Sequence, residues 1–342
     1  MQFTVAATIA AATMASTTAL STEASNFLLA DRFESFKIEH NKVYASAEEH
    51  AERFAIFEEN VNKVAEMNAV NNVHGITRFS DMTKEEFKFF LGVDSTMKVD
   101  PTIEVIRADN VTVGSTGSFN WNDEGKLTAV KDQAQCGSCW AFSATETIET
   151  AWAMAGNKLT EFSPQDLVSC STKDAGCNGG MPGNAFDFVK AQGGMPTDAS
   201  YPYTSGAGDS GTCKSPLPAL AGGTISEWGY GQSPCQGFSA CKEDTDGLIA
   251  ALKQYGPMSI AIDASEWNSY TGGVMTSASC SNSPRKMDHA VQLVGYNADA
   301  AEPYWVVRNS WTTAWGESGF IKLAMGANTC GVANLAALVK SV

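Results

Sequence analysis

The chain has 342 residues, 44% of them hydrophobic, and its 38 Asp and Glu outnumber its 23 Lys and Arg. Such a length suggests two units, and the apolar fraction supports a sizeable core. A formal net charge of −15 repels phosphate backbones and speaks against nucleic acid as a partner, and no run of eighteen apolar residues follows the N-terminus, so no membrane anchor is expected.

The N-terminus carries the apolar run VAATIAAATMA followed by small residues. Residues 1–19 read as a secretory signal peptide that lacks a basic start; an ordinary buried helix is the alternative. From about residue 22 to 100 there is no cysteine and many charges. Phe54, Phe57, Val61 and Val64 recur at helical spacing, and Phe33 and Phe36 begin a similar stripe. Two or more amphipathic helices are predicted there, with a short extended piece over residues 77–79. Residues 100–118 form a weakly patterned link in which Gly114, Ser115, Thr116, Gly117 and Ser118 read as flexible. Asn110 heads an Asn-Val-Thr glycosylation acceptor. Beyond residue 120, glycine, cysteine and tryptophan become frequent. Helices are predicted over 139–153 and 244–255, and strands over 258–262, 291–294 and 304–307. Helices first and strands later favour an α+β fold.

The nine cysteines, at 136, 139, 170, 177, 213, 235, 241, 280 and 330, form an odd set. In an exported chain that suggests four bridges and one free thiol. Cys139 opens a predicted helix, whose N-terminal N–H groups favour a thiolate. Cys136 and Cys139 also make a CxxC pair. A redox site would want a thioredoxin-like βαβ setting and zinc a second such pair, and neither occurs; no metal is expected. Of the four histidines, His289 alone lies in the cysteine-rich region. A Cys–His pair there has one candidate base, which needs a third group to orient it.

The segment QAQCGSCWAFS over residues 133–143 resembles the nucleophile motif of papain and cathepsin proteases. MDHAVQLVGY (287–296), RNSW (308–311) with WGESGF (315–320), and CNGGMP (177–182) resemble that family's histidine, asparagine and cleft-loop segments. The N-terminal half resembles the inhibitory propeptide of cathepsin L-like members. Phe33, Phe36, Lys37, His40, Lys42 and Tyr44 follow its start. Glu49, Arg53, Phe57, Asn60, Val64 and Asn68 follow its interrupted helix pattern, and Gly75, Thr77, Phe79 and Asp81 its second motif.

The resemblance implies a two-lobed α+β fold, a helical lobe plus a strand-rich barrel-like lobe, preceded by a helical propeptide. The expected divisions are a signal peptide at 1–19, an inhibitory propeptide at 20–114 and a catalytic domain at 115–342. It implies Cys139 as nucleophile, His289 as general base and acid, Asn309 as the group orienting it, Trp311 as its shield from water, and Gln133 as an oxyanion donor. Gly179, Gly180, Met181, Pro182, Ala261, Ala290 and Leu335 would meet the substrate, with an apolar pocket for the residue second before the cut bond. Disulfides Cys136–Cys177, Cys170–Cys213 and Cys280–Cys330 are implied; Cys235 and Cys241 remain as a local fourth pair. Ala134 and Thr312 stand where the family has glycine. The expected protein is a monomeric endopeptidase without a cofactor, acting on proteins and peptides. Its own propeptide would inhibit it, and acid would release it by protonating carboxylates such as Glu49 and Asp81. Its expected place is a lysosome or vacuole, or outside the cell, reached through the secretory pathway. A catalytically inactive, protein-binding relative is the rival, but Cys, His and Asn are all present.

Overall fold

The computed structural model describes residues 28–93, 100, 102–108, 116–235 and 241–341. The signal-peptide reading of residues 1–19, the acceptor Asn110, and Gly114 and Ser115 of the link fall outside the described residues.

The N-terminal segment forms α1 (28–39), α2 (Ala47–Asn68) and α3 (Lys84–Phe87). Phe33, Phe36 and Phe57 are each exposed by 1% or less and close a small aromatic core. Phe54 and Val61 lie against it. The start of α2 is capped by the Ser46 hydroxyl, which accepts the Glu49 N–H at 3.1 Å, and Glu49 in turn accepts the Ala45 N–H at 2.6 Å. The extended piece expected over 77–79 is displaced. The bridge to a neighbour is made by His74, antiparallel to Tyr270, and residues 78–81 form a turn. The Thr77 N–H donates to Ser80 Oγ at 3.0 Å and the Ser80 N–H returns to the Thr77 carbonyl at 3.0 Å. Such local bonds compete with strand pairing. One face of α2 holds that turn: Asn60 donates to the carbonyls of Ser80 and Met82, both at 2.9 Å, and Arg53 pairs with Glu86 at 2.7 Å.

The helical lobe consists of α4 (Cys139–Met154), α5 (Pro164–Cys170) and α6 (Pro182–Gln192). α4 is buried on almost every side, so it runs through the interior. The other lobe is an eight-stranded sheet that also includes β1 (Ser118–Asn120), β2 (Glu227–Tyr230), β3 (Met258–Ile262), β4 (Val274–Met275), β5 (His289–Asn297), β6 (Tyr304–Arg308), β7 (Phe320–Ala324) and β8 (Ala336–Lys340). Its order is β2–β8–β3–β5–β6–β7–β4, with β1 on β5, and only β4–β7 is parallel. α7 (Thr245–Tyr255) is capped by Asp244, whose side chain accepts the Gly247 N–H. β5 is longer than the predicted 291–294. Its ends are polar but paired, His289 with Ile262 of β3 and Asn297 with Tyr304 of β6 and Ser118 of β1, so the apolar run marks only its middle.

The link is not featureless. Val105 bridges Tyr230 in parallel, and the Ile106 N–H reaches the Tyr230 carbonyl at 2.8 Å. β2 is an edge strand whose unpaired backbone groups accept this segment. Disulfides join Cys136–Cys177, Cys170–Cys213, Cys235–Cys241 and Cys280–Cys330, which leaves Cys139 as the free thiol. The lobes meet where α4 lies on β5: Ser143 Oγ donates to the Val291 carbonyl at 2.7 Å, and Glu146 faces Arg308 at 3.3 Å.

Candidate active site

The site forms where the first residue of α4 faces the first residues of β5. Cys139 is fully buried, and its sulfur accepts the Ala290 N–H at 3.4 Å. His289, also fully buried, places Nε2 at 2.8 Å from Asn309 Oδ1. A carboxamide oxygen only accepts, so Nε2 carries the hydrogen and Nδ1 is the bare nitrogen. Nδ1 has no partner among the described residues. Asn309 Oδ1 also accepts the Ser310 N–H at 2.8 Å, which fixes the amide orientation. The indole of Trp311 stacks on the imidazole, 4.7 Å between centroids and 28° between planes. Burial pushes the Cys139 thiol up to about 12 and the imidazole of His289 down to about 4. In both groups burial thus disfavours the charged form.

Gln133 is fastened from several directions. Its N–H reaches the Ser310 carbonyl at 3.0 Å, and its Oε1 accepts the Ser310 hydroxyl at 2.7 Å. Its Nε2 donates to the carbonyls of Cys136 and Phe90, both at 2.9 Å. The Cys136–Cys177 bridge ties this loop to the Gly179–Gly180 turn, and the Gly137 N–H donates to the Cys177 carbonyl at 3.0 Å. A side chain at Gly180 would stand 2.6 Å from the Trp140 ring, so the close approach there requires glycine.

Residues 90–93 of the N-terminal segment occupy the cleft. The Phe90 carbonyl sits on Gln133, the Gly92 carbonyl accepts the Gly180 N–H at 2.9 Å, and the Val93 N–H donates to the Asp288 carbonyl at 3.0 Å. A Cβ on Gly92 would lie 1.9 Å from the Gly137 carbonyl, so no larger residue passes over the thiol. Phe79 and Phe87 pack edge-on to Trp311, at 5.2 and 5.3 Å. Ala261 and Ala290 pair across β3 and β5, the Ala261 N–H meets the Leu335 carbonyl at 3.2 Å, and these side chains share one apolar cluster with Cys139. Met181 and Val93 pack against that cluster, and Pro182, buried, opens α6 beside Met181.

Ala134 and Thr312 have φ of 50° and 68°. Glycine is relaxed there, whereas a side chain costs about 1–2 kcal/mol. The site residues named from sequence thus lie around one cleft. Missed were Phe90, Gly92 and Val93, which carry no motif of their own, and Ser310, whose contacts to Gln133 and Asn309 depend on the fold. The adjacency of Ser310 to Asn309 was the one available signal. Among the described residues no cluster of metal-ligating side chains occurs, and no helix is long and apolar enough to cross a membrane.

Residues 116–339 match the pattern of the papain family cysteine proteases, and residues 33–87 that of the cathepsin propeptide inhibitor domain. The chain is 41% identical over 305 residues to a cysteine proteinase of Trypanosoma brucei brucei, covering 87% of this chain and 64% of that one. It is 36% identical over 318 residues to cysteine proteinase 1 of Leishmania pifanoi, covering 90% and 85%. Among solved structures, the digestive procathepsin L2 proteinase from the larval midgut of Tenebrio molitor superposes with a TM-score of 0.77 at 30% identity, over 91% of this chain and 99% of that one. With a catalytic-region match over more than half of its length and an inhibitory-propeptide match ahead of it, the chain belongs to the papain family of cysteine proteases, in its cathepsin L-like precursor form.

Proposed function

We propose that the chain is an acid-activated endopeptidase zymogen: residues 1–19 a signal peptide, 20–114 the propeptide, and 115–342 a monomeric catalytic domain. Its place is a lysosome or vacuole, or outside the cell, and its substrates are proteins and peptides. Once the propeptide leaves, water reaches Cys139 and His289, and the bare Nδ1 takes the thiol proton. The thiolate attacks the scissile carbonyl. The oxyanion is met by Gln133 Nε2 and the Cys139 N–H, and the imidazolium returns its proton to the leaving amine. Water then cleaves the thioester with His289 as base. Asn309 holds the ring, and Trp311 keeps water from that hydrogen bond.

The observation that carries this reading is the course of residues 90–93. The propeptide passes from Gln133 to Gly180 toward its C-terminus and lies across the nucleophile. Its Phe90 carbonyl takes the Gln133 amide proposed for the oxyanion, and Val93 packs against the cluster proposed as the apolar pocket, so both are covered in the precursor.

Acid release would act on several groups of the propeptide, with Glu49 and Asp81 joined by Glu86 and His74. Glu49 serves the cap of α2, while Asp81 pairs with Lys42 and Tyr44 inside the propeptide. The Arg53 guanidinium holds the Glu86 carboxyl down at about 2. Its contribution is present above pH 4.5 and is lost only as pH falls from there toward 2. His74 acts earlier. It is buried at the seam, with Nδ1 3.0 Å from Ser269 Oγ and the Lys63–Glu266 pair nearby. Burial lowers its pKa below the ordinary 6.5. The released propeptide takes up this proton below pH 6.5 while the docked form resists it, so docking weakens as pH falls through that value. Incubating the precursor from pH 7 to 4 and sequencing the product should yield a new N-terminus within about residues 112–120. His74→Gln should move the activation midpoint to lower pH. Full activity of the uncleaved precursor at neutral pH would overturn the zymogen reading.

Specificity follows from the apolar pocket. Leu335 is exposed by 6%, and Ala261 and Ala290 by 2% or less in this covered state. Burying a phenylalanine there is worth about 1.5–3 kcal/mol, whereas an arginine loses hydration with no acidic partner on those walls. Of two fluorogenic peptides differing only at the residue second before the cut, the phenylalanine peptide should be favoured in kcat/KM by about 10- to 100-fold. Leu335→Glu should raise the arginine peptide selectively. Equal rates on the two peptides would show that these residues do not form the pocket.

A further inference from the structure

Ser138 stands at the N-cap of α4, where a serine hydroxyl ordinarily accepts an N–H of the first turn. Here it caps nothing. Its Oγ lies 2.9 Å from Tyr203 Oη, and Tyr203 Oη lies 2.8 Å from the Gln133 carbonyl. A carbonyl can only accept, so the phenol donates to Gln133. Its one proton is then used, and Ser138 donates to the phenol. The Ser138 hydroxyl is thereby committed away from the Cys136 carbonyl, a longer contact of 3.5 Å. The ring is held edge-on by Phe142, 4.9 Å between centroids.

This pair of bonds spans the loop between Gln133 and Cys139, the residues whose amide and N–H we assign to the oxyanion. Ser138 supplies the peptide that bears the Cys139 N–H, so the phenol links the two ends of the loop that sets the spacing of the donors. The loop between them is strained: Ala134 has φ of 50°, its N–H donates to Asp132 Oδ1 at 3.1 Å and, one residue on, the Gln135 N–H donates to the Gly206 carbonyl at 3.0 Å. A strained loop keeps its shape only when its surroundings over-determine it. We infer that Tyr203 is a positioning residue of the oxyanion site, tying Gln133 to Ser138 and holding the Ala134 loop in its left-handed turn.

This inference rests on the peptidase reading given above, and one experiment separates the two. The full-length chain and its Tyr203→Phe and Ser138→Ala variants are produced, activated in acid, and assayed with a fluorogenic peptide, a peptide aldehyde and iodoacetamide. The aldehyde forms a tetrahedral adduct with the thiolate, the sulfur adding to its carbonyl carbon and the oxygen entering the oxyanion position, where it is protonated or held as the anion. Iodoacetamide alkylates the thiolate with loss of iodide and needs no oxyanion site. Tyr203→Phe should lower kcat by about 10-fold with KM unchanged and weaken the aldehyde by a similar factor. Its alkylation rate should match the parent's. Ser138→Ala should shift the first two in the same direction by less. Unchanged kcat and aldehyde affinity in both variants would overturn the inference, as would an equal fall in alkylation, which marks general damage to the site. A parent chain that cleaves no peptide and binds no aldehyde would instead overturn the peptidase reading.

Discussion

Cys139→Ala should leave a folded chain whose peptide hydrolysis falls by at least about 10⁴-fold, because removal of a nucleophile leaves only what binding and the oxyanion site supply. The fold should tolerate the change. The other eight cysteines are bridged, so no disulfide is disturbed. The substitution removes one buried sulfur and its weak backbone contacts, such as the 3.4 Å bond from the Ala290 N–H. The variant precursor should stay uncleaved in acid by itself and be trimmed when mixed with a small amount of active enzyme. A thermal melt near the parent's, together with no burst of product from the fluorogenic peptide, is the expected record. Retained turnover would remove the assignment of Cys139 and with it the mechanism.

Gln133→Ala should lower kcat by about 10²–10³-fold, the usual effect of deleting one oxyanion donor, with KM little changed. The same substitution should loosen the zymogen. In the precursor the Gln133 amide donates to the Phe90 carbonyl at 2.9 Å, so on the proposed mechanism one group would serve inhibition before activation and catalysis after it. The free propeptide, added in trans at neutral pH, should therefore inhibit the variant less than the parent. A fall in kcat with unchanged propeptide affinity would mean that the Phe90 contact contributes nothing to docking. A rise in KM with kcat unchanged would place Gln133 in substrate binding and remove it from the oxyanion role.

Much of this was legible beforehand, for a local reason. The α4 segment, β3 and the capped start of α7 are encoded by contiguous residues whose own pattern specifies the element. β5 was seen only in its apolar middle, because its polar ends are held by partners far away in the chain. The piece over 77–79 was misread as extended because Ser80 turns it back through a side-chain bond that alternation does not register. The link is only weakly patterned in sequence because the pairing partner of Val105, Tyr230, lies over a hundred residues away.

By itself the sequence determined the chemistry: one thiol left over from eight paired cysteines, one histidine in the same region, and motif segments whose order identifies a protease with its own inhibitor. Residue type and short spacing carry that information, because a nucleophile and a helix start are properties of adjacent residues. Only the tertiary structure decided what covers the site and how its groups are surrounded. The course of residues 90–93 along the cleft, the Nδ1 of His289 left without a partner, and the upward shift of the Cys139 thiol and downward shift of the imidazole all arise from burial between distant segments. Burial and chain direction depend on the whole fold rather than on any neighbouring pair of residues.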